Sequence, residues 1–310
     1  MVPGKHHINR VYGKIVAAVG EFDIDLTKKH IITGPNGYGK TIILKLTASM
    51  YQLMRGEFPH ALINLVSITR NDYFDGPETT WYQMFDKFGM VLDDGTEATL
   101  EPAFDASSEN KSTYIYTCGE EKLEFDLSTM NRDTKLPECR TSGICMFLDS
   151  WRHSYMDELI AKILAKCSVS ADELNEIVKW HNKLFAFRDG QATIFENVPV
   201  SLPDEPFGKF KKRVKSWMER LSHGEQEFLL CSMVLQHSDV MILDDAGQGL
   251  HLVVQMKFDD LCKALGHKKF GNCQVFMSTH MPEIINGIWS ADYDLFAESH
   301  PDETKNNDEE

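Results

Sequence analysis

The sequence predicts an α/β fold, with a core of buried strands and helices and an antiparallel β region attached to it. Three observations predict it. Ile31-Ile32 runs into the glycine-rich turn Gly34-Pro35-Asn36-Gly37-Tyr38-Gly39, and Lys40-Thr41 then leads into Ile42, Ile43, Leu46, Met50 and Leu53 at helical spacing. Two later apolar runs, Val240–Leu243 and Gln274–Met277, each end in polar residues: Asp244-Asp245 and Ser278-Thr279-His280. Between Trp81 and Leu127 the pattern changes to short strands separated by turns.

The chain opens with a predicted hairpin, Val11–Val19 and Phe22–Leu26 about Gly20-Glu21, and Lys28-Lys29 turn it into the strand at Ile31. A strand, a glycine-rich turn and a helix in this order is the context of a phosphate-binding P-loop. Glycines let successive backbone N–H groups curl around phosphate oxygens, and the helix N-terminus adds unpaired donors and partial positive charge. Lys40 can reach the outer phosphates, and the Thr41 hydroxyl can enter a Mg²⁺ shell. The simpler alternative is a glycine turn that only caps a helix. It does not account for all four fixed positions being filled in the right context.

The P-loop helix is expected to fray near Arg55-Gly56-Glu57, before an apolar run, Leu62–Ile68, of unassigned type. Tyr82–Leu92 precedes a turn at Asp93-Asp94-Gly95, and Thr113–Cys118 pairs with Lys122–Leu127 about Gly119. Asp105–Ser112 reads as a mobile loop. Ile144–Leu148 is a buried-type strand returning to the core. Met156, Leu159, Ile160, Ile163 and Leu164 form one amphipathic stripe, and Ser170-Ala171-Asp172-Glu173 is a capping-box start for a second helix. A hairpin is expected about Arg188-Asp189-Gly190-Gln191. In the helix 209–220, Lys209, Lys211, Lys212, Arg213 and Lys215 form the densest basic cluster of the chain. A solvated helix face is the simpler reading, and a contact for nucleic acid or an acidic partner the sharper one.

Composition narrows the class. Of 310 residues, 42% are hydrophobic and 25% charged, as in ordinary globular proteins, and no run approaches the length of a membrane span. The start of the chain lacks the apolar segment of a signal peptide, so a cytoplasmic protein with no membrane contact is expected. The seven scattered cysteines contain no C-x-x-C pair and read as reduced thiols. A net charge of −15 argues against a protein that grips DNA by phosphate neutralisation alone.

Val240–Asp245 has the form of a Walker B segment, in which Asp244 holds Mg²⁺ directly or through water. Asp245 is then set to orient or deprotonate an attacking water. Upstream stands Leu221-Ser222-His223-Gly224-Glu225-Gln226. Together with Gly249-Leu250-His251, Gln255 and Ser278-Thr279-His280-Met281-Pro282, these pieces resemble ABC-type ATPases of the SMC/RecF/OLD-like group more than a transporter cassette. Leu250-His251 and the Thr279-His280-x-Pro282 ending resemble the stand-alone ATPases of OLD-family nucleases and bacterial anti-phage systems.

The resemblance implies a P-loop ABC-type ATPase head with an antiparallel β region and a helical signature subdomain. It covers residues 1–297 as one domain: 1–150 as P-loop core with the β region, 151–237 as the helical lobe, and 238–297 as the Walker B and switch-histidine part. Residues 298–310 are an acidic, disordered tail. The implied ligands are ATP, held by Gly34, Pro35, Asn36, Gly37, Tyr38, Gly39, Lys40 and Thr41, and Mg²⁺, held by Thr41 and Asp244. Asp245, His280 and Lys40 are the implied catalytic residues. Two copies would pair head to tail, so that Ser222, Gly224 and Glu225 of one copy complete the site of the other.

Three departures stand out. Asp245 replaces the usual glutamate and is one methylene shorter, which predicts slow hydrolysis. Ala246-Gly247 replaces the usual Pro-Glu. No glutamine follows Ile144–Leu148, which leaves Asp149, Ser150 or Arg152 for that contact; Tyr12 and Phe22 are the candidates for adenine. Only thirty residues follow His280, too few for a nuclease domain, so a separately encoded effector is the expected partner. The rival readings are a chromosome-associated head that binds nucleic acid itself, and a transporter subunit, whose signature normally reads L-S-G-G-Q.

Overall fold

A computed structural model describes residues 4–16, 19–27, 31–71, 80–81, 83–103, 112–128, 137–150, 159–161, 163, 209, 223–246, 273–280 and 292–294. The chain divides into two compact units. The first comprises Met1–Phe147, Asp239–Ala246 and Gln274–Glu310, and the second Leu148–Ser238 and Gly247–Cys273.

The first unit holds an antiparallel sheet of β1 (Ile8–Ile15), β2 (Glu21–Asp25), β6 (Phe85–Leu92), β7 (Glu97–Pro102), β8 (Thr113–Cys118) and β9 (Glu121–Asp126), in the order β2-β1-β6-β7-β8-β9. Its strands follow period-two chemistry: Phe22 and Ile24, then Tyr114, Tyr116 and Cys118, then Leu123 and Phe125 point inward, and their neighbours are more exposed. Phe85 stacks on Tyr114 at 5.3 Å between ring centres, and Phe58 meets Phe125 edge-on at 5.2 Å.

The opening hairpin differs from the prediction. β1 begins at Ile8 and ends at Ile15, where the Ile15 N–H donates to the Gly20 carbonyl at 2.8 Å. Gly20, at φ +66°, takes a left-handed turn position that glycine adopts without strain. The early start has a long-range cause. The Gln274 side-chain amide accepts from the Ile8 N–H at 2.8 Å and donates to the Ile8 carbonyl at 2.6 Å, fixing both polar groups of that residue.

The second sheet comprises β3 (Ile31–Thr33), β10 (Cys145–Leu148), β11 (Val240–Leu243), β12 (Gln274–Ser278) and β13 (Asp292–Asp294), in the order β10-β11-β12-β3-β13. β11 pairs parallel with β12, and β12 and β13 pair parallel with β3. Helix α1 (Lys40–Met54) packs on strands of both sheets and on α2 (Phe58–Thr69), which occupies the apolar run left unassigned by sequence. This explains why 12 of its 15 residues are buried, far more than the single stripe its periodicity suggested. The buried hydroxyls of Thr47 and Ser49 donate back to the Ile43 and Lys45 carbonyls, so neither is left unsatisfied. The helix ends at Met54, and Gly56 turns at φ +77°.

Strands β7 and β13 carry too few apolar residues to have been read from sequence. Ser112, placed by sequence at the end of a mobile loop, is buried and donates to Asp126 Oδ1 at 2.5 Å. A short ribbon, β4 (Arg70–Asn71) with β5 (Thr80–Trp81), completes the described strands. Within the second unit, helix α3 (His223–His237) buries Leu229, Leu230, Cys231, Met233, Val234 and Leu235, and Leu159, Ile160, Ala161 and Ile163 are also buried. The expected helix at 170–181, the hairpin at 185–195 and the tail 298–310 lie outside the described residues. The five described cysteines are free thiols, and no described helix is long and apolar enough to cross a membrane.

Candidate nucleotide-binding site

The carboxyl ends of three adjacent strands, β11, β12 and β3, converge on the N-terminus of α1. In a parallel sheet the strand ends are where unpaired backbone and polar side chains collect, and ligands bind there. β3 passes directly into the glycine loop. Gly34, Gly37 and Gly39 take φ values of +128°, +83° and +96°, which side chains on L residues disfavour. Gly39 is the N-cap of α1 and has no side chain to satisfy the first-turn N–H groups. The loop before it is open to solvent: Pro35, Asn36 and Gly37 are exposed, and Gly34, Tyr38 and Gly39 half-buried.

The charged and hydroxyl groups behind the loop are ordered. Lys40 is buried, and its ammonium donates to the carbonyls of Gly34 at 2.7 Å and Pro35 at 2.9 Å. Burial lowers its pKa, and the negative charges of Asp244 and Asp245 oppose that shift. The Thr41 hydroxyl donates to both oxygens of Asp244, at 3.1 and 3.0 Å. Asp244 is 2% exposed and receives a further hydrogen bond from Ser278 Oγ at 2.8 Å. A hydroxyl and a carboxylate in contact are an oxygen-only donor set, the kind that hard divalent cations take.

Asp245 turns out of the strand at φ +55°, the one described non-glycine residue in that region. Its N–H donates to Ser278 Oγ at 2.9 Å, and the next N–H, of Ala246, donates to the Ser278 carbonyl at 2.7 Å. Thr279, fully buried, donates its hydroxyl to the Ala246 carbonyl at 2.8 Å. His280, two residues past the end of β12, is exposed.

The family model described as "ABC transporter" matches residues 20–248. The chain belongs to the ABC transporter family. Its P-loop ABC-type ATPase fold is the mixed α/β architecture described above. Among curated relatives, it is 40% identical over 68 residues to the zinc import ATP-binding protein ZnuC of Vibrio parahaemolyticus, a stretch that is 22% of this chain and 25% of that protein. It is 39% identical over 67 residues to ZnuC of Vibrio vulnificus. The chain thus spans about a quarter of the length of these relatives. Among solved structures, it resembles the SMC head domain from Thermotoga maritima with a TM-score of 0.45 and 14% identity, covering 93% of both chains. It resembles the recombination mediator protein RecF bound to ATP with a TM-score of 0.36 and 11% identity, over 88% of this chain and 93% of that one.

In this ABC-family chain the structure brings together Gly34–Thr41, Asp244 and Asp245 within the first unit. Gly224 and Glu225 fall on the first turn of α3 in the second unit, and Ser222 lies outside the described residues. Lys209 is exposed and helical, whereas Lys211, Lys212, Arg213 and Lys215 are outside the described residues. Asp149 and Ser150 follow β10 directly and are half-buried; Arg152 is not described. The adenine candidates fare poorly. Phe22 is buried against Phe88, 6.1 Å between ring centres. Tyr12 lies flat on the outer face of the antiparallel sheet, with its hydroxyl on Glu97 and Arg10 over its ring at 4.9 Å. Sequence reasoning placed Ser278 and Thr279 in a family motif but gave neither a chemical role. Their signal was present: a hydroxyl residue ends β12 and another follows it directly.

Proposed function

We propose that this chain binds Mg·ATP at the Gly34–Thr41 loop, hydrolyses it slowly, and pairs with a second copy around the nucleotide to regulate a separate effector protein. The observation that carries the reading is the convergence of Lys40, Thr41 and Asp244 beneath three left-handed glycines. Mg²⁺, when bound, neutralises charge on the outer phosphate oxygens. Thr41 and Asp244 are its holders. Lys40 leaves the Gly34 and Pro35 carbonyls for the β- and γ-phosphates, exchanging two neutral acceptors for anionic ones. Asp245 orients and deprotonates the attacking water. Its side chain is one methylene shorter than glutamate, which motivates slow turnover. Ser222, Gly224 and Glu225 of a second copy close the site over the γ-phosphate, and His280 reads that phosphate from the strand end. Residues 151–237 form the lobe that carries the trans contact, and a role in anti-phage defence rests on the Leu250-His251 and Thr279-His280-x-Pro282 resemblance.

Light scattering tests the reading. The parent protein should double in mass on adding Mg·ATP, and Lys40→Ala should not respond. Equal behaviour of the two proteins defeats the proposal. A second reading, the energising subunit of an importer, is favoured by the local identity to ZnuC. It requires a membrane partner whose presence accelerates ATP turnover, whereas the first reading requires a soluble one.

A further inference from the structure

The strand order sets β12 between the P-loop strand β3 and the Asp244 strand β11. The register then decides what stands in the middle. Leu243 pairs with Met277, and Met277 and Ser278 pair with Ile31 and Ile32. One residue beyond the Leu243–Met277 pair, Asp244 lies beside Ser278. The Ser278 hydroxyl therefore reaches two functional segments at once. It donates to Asp244 Oδ1 at 2.8 Å and accepts from the Asp245 N–H at 2.9 Å. Ser278 is 1% exposed, so water does not compete for either bond.

Asp245 has such a tether. At φ +55° it sits in the left-handed region, which most residues with side chains avoid and aspartate enters more readily than most, and the hydrogen bonds around it fix it there. The Ser278 hydroxyl holds the Asp245 N–H, the Ser278 carbonyl holds the Ala246 N–H, and the Thr279 hydroxyl holds the Ala246 carbonyl. The short side chain of Asp245 makes its backbone position matter more, because it has one fewer torsion with which to correct a displaced Cα.

We infer that Ser278 is a positioning residue for ATP hydrolysis: one hydroxyl couples the Asp244 carboxylate to the backbone of Asp245, aiming the shortened general base at the attacking water. This rests on the hydrolysis reading proposed above. It makes turnover, and not nucleotide binding, depend on Ser278.

The test compares kcat and KM for Mg·ATP in the parent, Ser278→Ala, Ser278→Thr and Asp245→Asn proteins, with thermal melts to confirm folding. Ser278→Ala should lower kcat about tenfold with KM within about twofold, the scale expected for losing one oriented hydrogen bond at a reacting centre. Ser278→Thr keeps the hydroxyl and should return kcat to within about threefold of the parent. An unchanged kcat in Ser278→Ala, beside a collapsed kcat in Asp245→Asn, overturns the role of Ser278 and leaves the hydrolysis reading standing. A joint loss of kcat and of apparent affinity, unrescued by threonine, reduces Ser278 to a structural residue. A parent protein that binds Mg·ATP without turning it over removes the hydrolysis reading, and the positioning role with it.

Discussion

Every residue of β11 is buried, whereas buried and more exposed residues alternate along β2, β8 and β9 in the antiparallel sheet. A polar side chain therefore means different things in the two sheets. On the antiparallel sheet, charges occupy the outer face and pair with each other: Arg10 with Asp23, Lys14 with Asp86 at 3.0 Å, and Lys87 with Glu101 at 3.0 Å. Exposed pairs of this kind contribute little, because water already solvates both partners. Along β3 and β11, where every residue is buried, a polar group has no water to fall back on. Asp244, Ser278 and Thr279 are buried, and each has a partner. Asp244, Ser278 and Thr279 are thus held in fixed hydrogen-bonded positions, whereas the paired charges on the antiparallel sheet lie on a wet surface.

The sharpest way to break this contrast is to truncate adjacent residues in each sheet. In the parallel sheet, Met241→Ala and Ile242→Ala both remove side chains that are 0% exposed, and each should cost about 2–5 kcal/mol. In the antiparallel sheet, Phe88→Ala should cost about 3–5 kcal/mol, while its neighbour Lys87→Ala costs less than about 1 kcal/mol. Denaturant melts measure all four. A tolerant Met241 would mean that one face of β11 is wet, against the contrast.

A smaller effect sharpens the account of the outer face. A Cβ on Gly89 would lie 2.2 Å from the Tyr12 ring, so Gly89→Ala must lift that ring from the sheet, at about 1–3 kcal/mol. Burial, and then the hydrogen bond to Glu97, push the Tyr12 phenol up to about 12. Once displaced, it should ionise closer to the ordinary tyrosine value of about 10, read by the phenolate absorbance during titration. An unshifted titration would show that the ring has not moved.

The smallest expected effect is electrostatic. The hydrogen bond and charge of Arg10 hold the Asp23 carboxyl below the usual carboxylate range, against partial burial. A depressed acid stabilises the fold above its unfolded-state pKa, and that contribution fades as pH falls through the folded value. The acid limb of the stability curve should therefore be slightly shallower in Asp23→Asn than in the parent. Identical slopes would mean that Arg10 and Asp23 do not pair in solution.

Much of the site was legible because its chemistry is local. The loop Gly34–Thr41 lies within one contiguous turn, and glycines at positions needing left-handed backbone are visible as residue types. The strand ends Asp244-Asp245 were legible because four apolar residues stop abruptly at two carboxylates. Strand β7 was not legible, since Ala98 and Leu100 are its only inward apolar residues. Nor was the true start of β1, which a glutamine 266 residues away holds in place.

Spacing along one short segment was enough to specify the glycine-rich loop Gly34–Thr41, the acidic end of β11 and the alternation of the antiparallel strands. Tertiary structure alone decided that β12 lies between β3 and β11, that Ser278 bridges Asp244 and Asp245, and that Phe22 is core and not a base-stacking platform. The physical reason is that strand order and register are settled by burial of whole faces against α1, a sum over residues distant in the chain, and no local pattern encodes which strand becomes the neighbour of which.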